Sequence, residues 1–185
     1  MRHSKVSTAL FIFCLFCSVK PAGAAEPLKV VASQVYYADI VREIGKDKVE
    51  VRSVASPKFN VHFIQPKPSD VRNVSRADLV VYTGLDLEEW WGPLVEAAGK
   101  PEFFPGREKS VDLSQGIRLL EAPDHALTRA EGDIHLYGNP HYILNPENAK
   151  VMAFTIRRKL SEIDPGNASF YEANEKRSPA GWMKK

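Results

Sequence analysis

From residue 28 to residue 113, short β-branched and aliphatic runs alternate with stretches whose apolar positions recur at helical spacing. Leu28 to Ser33 reads as a buried strand. Gln34 to Ile44 reads as a helix, with Ile40, Val41 and Ile44 on one side and Gly45 as its stop. Val49 to Ala55 alternates apolar and polar residues, which predicts a second strand with one more exposed face. Ser69 to Arg76 is a short helix after Pro68, and Asp78 to Gly84 a third strand closed by glycine. Leu87 to Ala98 has helical spacing through Trp90, Trp91, Leu94 and Val95, but Gly92-Pro93 predicts a kink or a restart at Pro93. Lys109 to Leu113 reads as a fourth strand, and Ser114 to Gly138 as a long, weakly patterned loop. Asn145-Pro146-Glu147 opens a helix: an Asn cap, proline at the first helical position and an acid in the first turn. That helix runs to the region of Leu160. Asp164-Pro165 opens another, which contains Phe170 and Tyr171.

Strands separated by helices of this size imply crossover connections and hence a parallel sheet. The expected fold is α/β, a parallel four-stranded sheet with flanking helices. Ligands of such sheets bind at the carboxyl ends of the strands. Chemistry is therefore sought in the loops that follow strands.

The first 25 residues break this pattern. Arg2, His3 and Lys5 make a basic start, Thr8 to Val19 is almost wholly apolar, and Ala22-Gly23-Ala24 has the small-x-small form that a signal peptidase reads. The apolar run is too short to span a bilayer as a mature helix, so a cleaved signal over residues 1–24 is the reading preferred to a membrane anchor. Cys17 follows Phe16, not the small residue a lipoprotein signal needs. Without residues 1–24 the chain loses Arg2, Lys5 and Lys20, leaving 25 − 3 = 22 basic against 23 acidic residues, a net charge of −1. No nucleic-acid footprint remains. Cys14 and Cys17 leave too, so a metal site in the mature chain must use His, Asp or Glu.

Two of the remaining histidines sit on stiff backbone. His62 lies in Phe59-Asn-Val-His-Phe-Ile-Gln-Pro-Lys-Pro68, with Pro57, Pro66 and Pro68 about it. His141 lies in Gly138-Asn-Pro-His-Tyr-Ile-Leu-Asn-Pro146, just before a capped helix. Held imidazoles suit a preformed metal site, although each also fits an ordinary loop residue. His135, six residues before His141, is a third candidate ligand. His125 reads as a polar loop residue. Trp90 and Trp91 fit core packing better than a stacking platform. Asp70, Asp78, Asp86 and Glu88 fit solvated helix starts and strand ends better than paired-carboxylate chemistry.

Several segments carry a family resemblance: Val30-Val-Ala-Ser33, Asp39-Ile-Val-Arg-Glu-Ile-Gly45, His62-Phe-Ile-Gln-Pro-Lys-Pro-Ser-Asp70, Ser75 through Trp90, and Gly132-Asp-Ile-His-Leu-Tyr-Gly-Asn-Pro-His141 on to Lys150. In that order and spacing they resemble the zinc/manganese solute-binding proteins of metal ABC importers. The resemblance covers residues 28 to about 175. It implies two α/β lobes joined by a long helix, with metal in the cleft between them. By motif the first lobe's two histidines are His62 and His141; the second lobe adds a third His and a carboxylate. It further implies a periplasmic protein without enzymatic activity. Its cargo would be a zinc or manganese ion, its partner an ABC permease in the inner membrane, and it would have no stable membrane insertion after cleavage. The reading places the metal-binding lobe at 25–164 and the start of the joining helix at 165–185. Asn60 and Asn145 stand where the family has acids. Pro179 and Gly181 fall where the joining helix should continue, so the reading expects a truncated chain with impaired metal capture. Competing readings are an inactive remnant, a zinc hydrolase, or a lobe that binds a siderophore or cobalamin. A hydrolase lacks an HExxH pair and a placed base here. A thiol-free, histidine-dominated site suits zinc, whereas carboxylates and water suit manganese, and both stay open.

Overall fold

The computed structural model describes residues 26–120 and 137–177. Within them the chain runs β1 (Leu28–Gln34), α1 (Val35–Gly45), β2 (Val49–Ala55), α2 (Pro68–Ser75), β3 (Leu79–Tyr82), α3 (Trp91–Ala97), β4 (Ser110–Asp112), α4 (Pro146–Ile163) and α5 (Ala168–Arg177), with short 3-10 turns between. The four strands form one parallel sheet in the order β2-β1-β3-β4. This is the α/β fold that the alternating pattern predicts.

Because side chains alternate across a strand, the sheet separates two cores. Val30, Ala32, Leu79, Val81 and Val111 face a cluster that includes Val41 and Ile44 of α1, Met152, Ile156 and Leu160 of α4, and Tyr171 of α5. Val31, Val80 and Tyr82 face the other, with Val74 of α2, Trp91, Leu94 and Val95 of α3, and Phe103. Both faces of the central strands are covered, which is why β3 reads Leu-Val-Val-Tyr without a polar position. Trp90 and Trp91 are core residues, as their spacing suggests.

Two local expectations need correction. Gly45 does not stop α1 through a left-handed conformation: its φ is −84°, and it is Lys46 that takes φ 47°. Gly45 is required for space, since a Cβ there would lie 2.4 Å from both Val49 methyls. The helix expected from Leu87 starts only at Trp91. Gly92 and Pro93 then fall in its first turn, where the missing proline N–H leaves no bond unmade, and Leu85 and Asp86 form a turn with φ 54° and 58°. The Asn145 cap is confirmed, its side chain accepting from Glu147 N at 3.0 Å.

In the strand order β2-β1-β3-β4, β1 connects through α1 to β2 on one side and β3 connects through α3 to β4 on the other. The carboxyl ends of β1 and β3 therefore meet at the point where the connections diverge, the usual place for a ligand crevice.

Candidate functional site

His62 and His141 meet at this carboxyl edge. Their ring centroids are 5.7 Å apart and their planes inclined at 60°. With Zn–N bonds of about 2.0–2.1 Å, two rings on one ion have centroids about 5 Å apart, so a small movement suffices for both to hold one cation. The pair lies on loops that follow β2 and β4, far apart in sequence.

Each histidine is placed by an asparagine two residues before it. Asn60 Oδ1 accepts from His62 N at 3.0 Å, and Asn139 Oδ1 accepts from His141 N at 2.9 Å. Such Asx turns shape the backbone locally. Asn60 makes this turn with its side-chain carbonyl. Below His62, the Trp90 indole donates to the Val61 carbonyl at 2.7 Å. Next to His141, the buried Tyr142 hydroxyl donates to the Thr83 carbonyl at 2.6 Å, and its own carbonyl accepts from Asn148 Nδ2 at 2.8 Å. Asn139 N donates to Leu120 O at 2.9 Å, joining the described residues on either side of segment 121–136. His62 is half-buried and His141 exposed. Exposed Phe59, Phe63 and Leu144 flank them in sequence.

His125 and His135 lie outside the described residues. Among the described residues, no group of three or more His, Cys, Asp or Glu side chains is placed to hold a metal ion.

The carboxylates divide sharply. Asp70 accepts from Lys67 N at 2.7 Å and caps α2, Asp78 accepts from Lys29 N at 2.8 Å, and Asp86 is exposed. Glu88, expected at a solvated end, is instead 6% exposed. It accepts from Ser33 Oγ at 2.6 Å, Gln34 Nε2 at 3.1 Å, Thr83 N at 3.1 Å and the Thr83 hydroxyl. Burial raises its pKa, and the Ser33, Thr83 and Gln34 hydrogen bonds work against that shift. The Tyr37 hydroxyl joins through Thr83 Oγ1 at 3.0 Å. Burial and the nearby Glu88 charge raise the Tyr37 pKa, and burial is again the first cause for Tyr142. In the sequence, Glu88 sits among Asp86 and Glu89 and carries no burial signal. The one available clue was Ser33-Gln34 at the end of an otherwise apolar strand, polar residues that need partners.

Fold and edge geometry define the class: an α/β lobe of the ZnuA-like solute-binding type. The chain belongs to the family described as zinc-uptake complex component A, periplasmic, whose model matches residues 30–180. It is 34% identical over 179 residues to the manganese ABC transporter substrate-binding lipoprotein PsaA of Streptococcus mitis, covering 89% of this chain and 54% of that protein. It is 34% identical to the metal ABC transporter substrate-binding lipoprotein FimA of Streptococcus parasanguinis, over 90% of this chain and 53% of that one. A zinc-bound deletion mutant of ZnuA superposes with a TM-score of 0.68 at 29% identity, covering 85% of this chain and 55% of that structure. A manganese-bound periplasmic metal-binding protein from Candidatus Liberibacter asiaticus gives 0.65 at 26%, covering 82% and 52%. The chain spans about half the length of the curated relatives it matches.

Proposed function

We propose that the chain captures a divalent transition metal, zinc or manganese, and presents it to the permease of an ABC importer, with His62 and His141 as ligands. One observation carries this: two imidazoles, from loops at opposite ends of the sheet order, come to a 5.7 Å centroid distance at the crevice edge. The relatives' names point to the same cargo. His135 is a candidate third ligand. The role is binding, not catalysis. Export with cleavage near Ala24, residues 25–164 as the metal-binding lobe and a periplasmic location complete the proposal. Among the described residues no helix is long and apolar enough to cross a membrane.

Calorimetric titration of the purified chain with zinc and with manganese tests the proposal. His62→Ala or His141→Ala should each lower affinity by about 100-fold (~2.7 kcal/mol), and His135→Ala by less. Wild-type affinity in both His62→Ala and His141→Ala would remove the site. Mass spectrometry of the exported protein should show an N-terminus at Ala25 or Glu26; an intact Met1 contradicts the export reading.

A further inference from the structure

The segment Thr83–Trp91 touches both histidine loops. At one end, the Thr83 carbonyl accepts from Tyr142, the neighbour of His141; at the other, the Trp90 indole donates to Val61, the neighbour of His62. Between them the backbone is unusual: Gly84, Leu85 and Asp86 have φ of 82°, 54° and 58°. Side-chained residues rarely adopt this region, and two in succession need surroundings that enforce it. Gly84 itself has no room for a side chain, because a Cβ there would lie 2.2 Å from Asp112 Oδ1.

The Glu88 carboxylate supplies the enforcement. It reaches back to the N–H and hydroxyl of Thr83, closing the turn, and across to Ser33 and Gln34 at the end of β1. Turn and strand end are thereby joined as one rigid unit at the crevice. A buried carboxylate whose oxygens are met by directed donors holds those donors in one arrangement. We propose that Glu88 is a positioning residue for the metal site: it locks the Gly84–Asp86 turn and, through the Trp90 and Tyr142 arms, sets the separation of His62 and His141. This inference rests on the metal-capture reading above. Glu88 touches neither histidine's backbone nor the cargo in this scheme; it acts through the two arms.

The test uses the full chain with zinc as the probe, and NMR of the metal-free protein as an independent readout. In the wild type, contacts between the His62 and His141 ring protons should be visible without metal. Glu88→Gln keeps the size but turns an amide N–H₂ toward donors. It should weaken or abolish the ring–ring contacts and lower zinc affinity by about tenfold or more, the size typical of lost outer-sphere support. Trp90→Phe and Tyr142→Phe should each release one histidine and lower affinity less. Combined with Glu88→Gln, either should add little, because the arm it removes is already loose. Glu88→Gln with zinc affinity within about twofold of wild type and unchanged ring contacts would overturn the proposal, as would strict additivity. If Glu88→Gln does not fold, Trp90→Phe and Tyr142→Phe decide alone: unchanged affinity and ring contacts in both overturn it. A wild-type chain that binds neither metal removes the metal-capture reading, yet the metal-free ring contacts still report whether Glu88 positions the pair.

Discussion

The two histidine loops reach the same point by different means. The His62 loop is stiffened by Pro57, Pro66 and Pro68 and is tied beneath by Trp90, whose ring belongs to the core on the α2 and α3 face. The His141 loop has less proline about it and leads into α4, and its anchor Tyr142 belongs to the core on the α1, α4 and α5 face. His62 is half-buried, His141 exposed. Each imidazole thus takes its position from a different side of the sheet. The segment Thr83–Trp91, crossing the sheet's edge, bonds to both sides, through Trp90 to Val61 and through Thr83 to Tyr142. A metal site split in this way depends on the sheet being rigid and on that one segment being well defined.

The largest way to break the comparison is Trp90→Ala. It removes a buried ring and the bond to Val61, so a loss of about 3–5 kcal/mol is expected by chemical denaturation. In the fraction that stays folded, the NMR signals of His62 should shift more than those of His141; equal shifts would mean that the arms are not separate. Gly84→Ala acts on the shared segment. Its φ of 82° and the close approach of Asp112 make a loss of about 1–3 kcal/mol the expected result, with both histidines' signals moving. Asn145→Ala acts on the His141 side alone. Loss of the bond to Glu147 N should reduce stability by about 1 kcal/mol and leave His62 signals in place.

A further effect is a dependence on pH. The Glu88 pKa is raised in the folded protein by burial, so the folded state holds this proton more tightly than the unfolded chain does. The stability contributed by its titration is full below the ordinary glutamate range and is lost as pH rises toward the raised folded value. Glu88→Gln has no such titration. The stability of the wild type relative to Glu88→Gln should therefore decline from acid to neutral pH, which paired melting curves would show. An increase over that interval would mean that the donors, not burial, dominate at this carboxyl.

Much of the fold was legible in the sequence because it is local. Alternation and helical spacing mark β1 to β4 and their helices, the Asn145-Pro146 start is a self-contained cap, and the proline-framed histidine loops stand out from composition alone. The misreadings share a physical cause. Glu88 has acidic neighbours in sequence, and nothing nearby reveals that Ser33 and Gln34 will surround its carboxyl from another strand. Gly45 looks like any helix-ending glycine until Val49 is seen to fill the space a Cβ would need. Trp91 rather than Leu87 begins α3 because Glu88 is drawn back to Thr83, an arrangement that propensity does not register.

By itself, then, the sequence determined the element types, the parallel sheet that their alternation demands, and which two histidines sit on stiffened loops. The family resemblance implied that those histidines share one metal ion; only the tertiary structure decided how near their rings come, that a buried carboxylate stands behind them, and which side of the sheet anchors each. The reason is that periodicity and capping act within a few residues along the chain. The 5.7 Å between His62 and His141 is set instead by the strand order β2-β1-β3-β4, which brings distant loops to one edge.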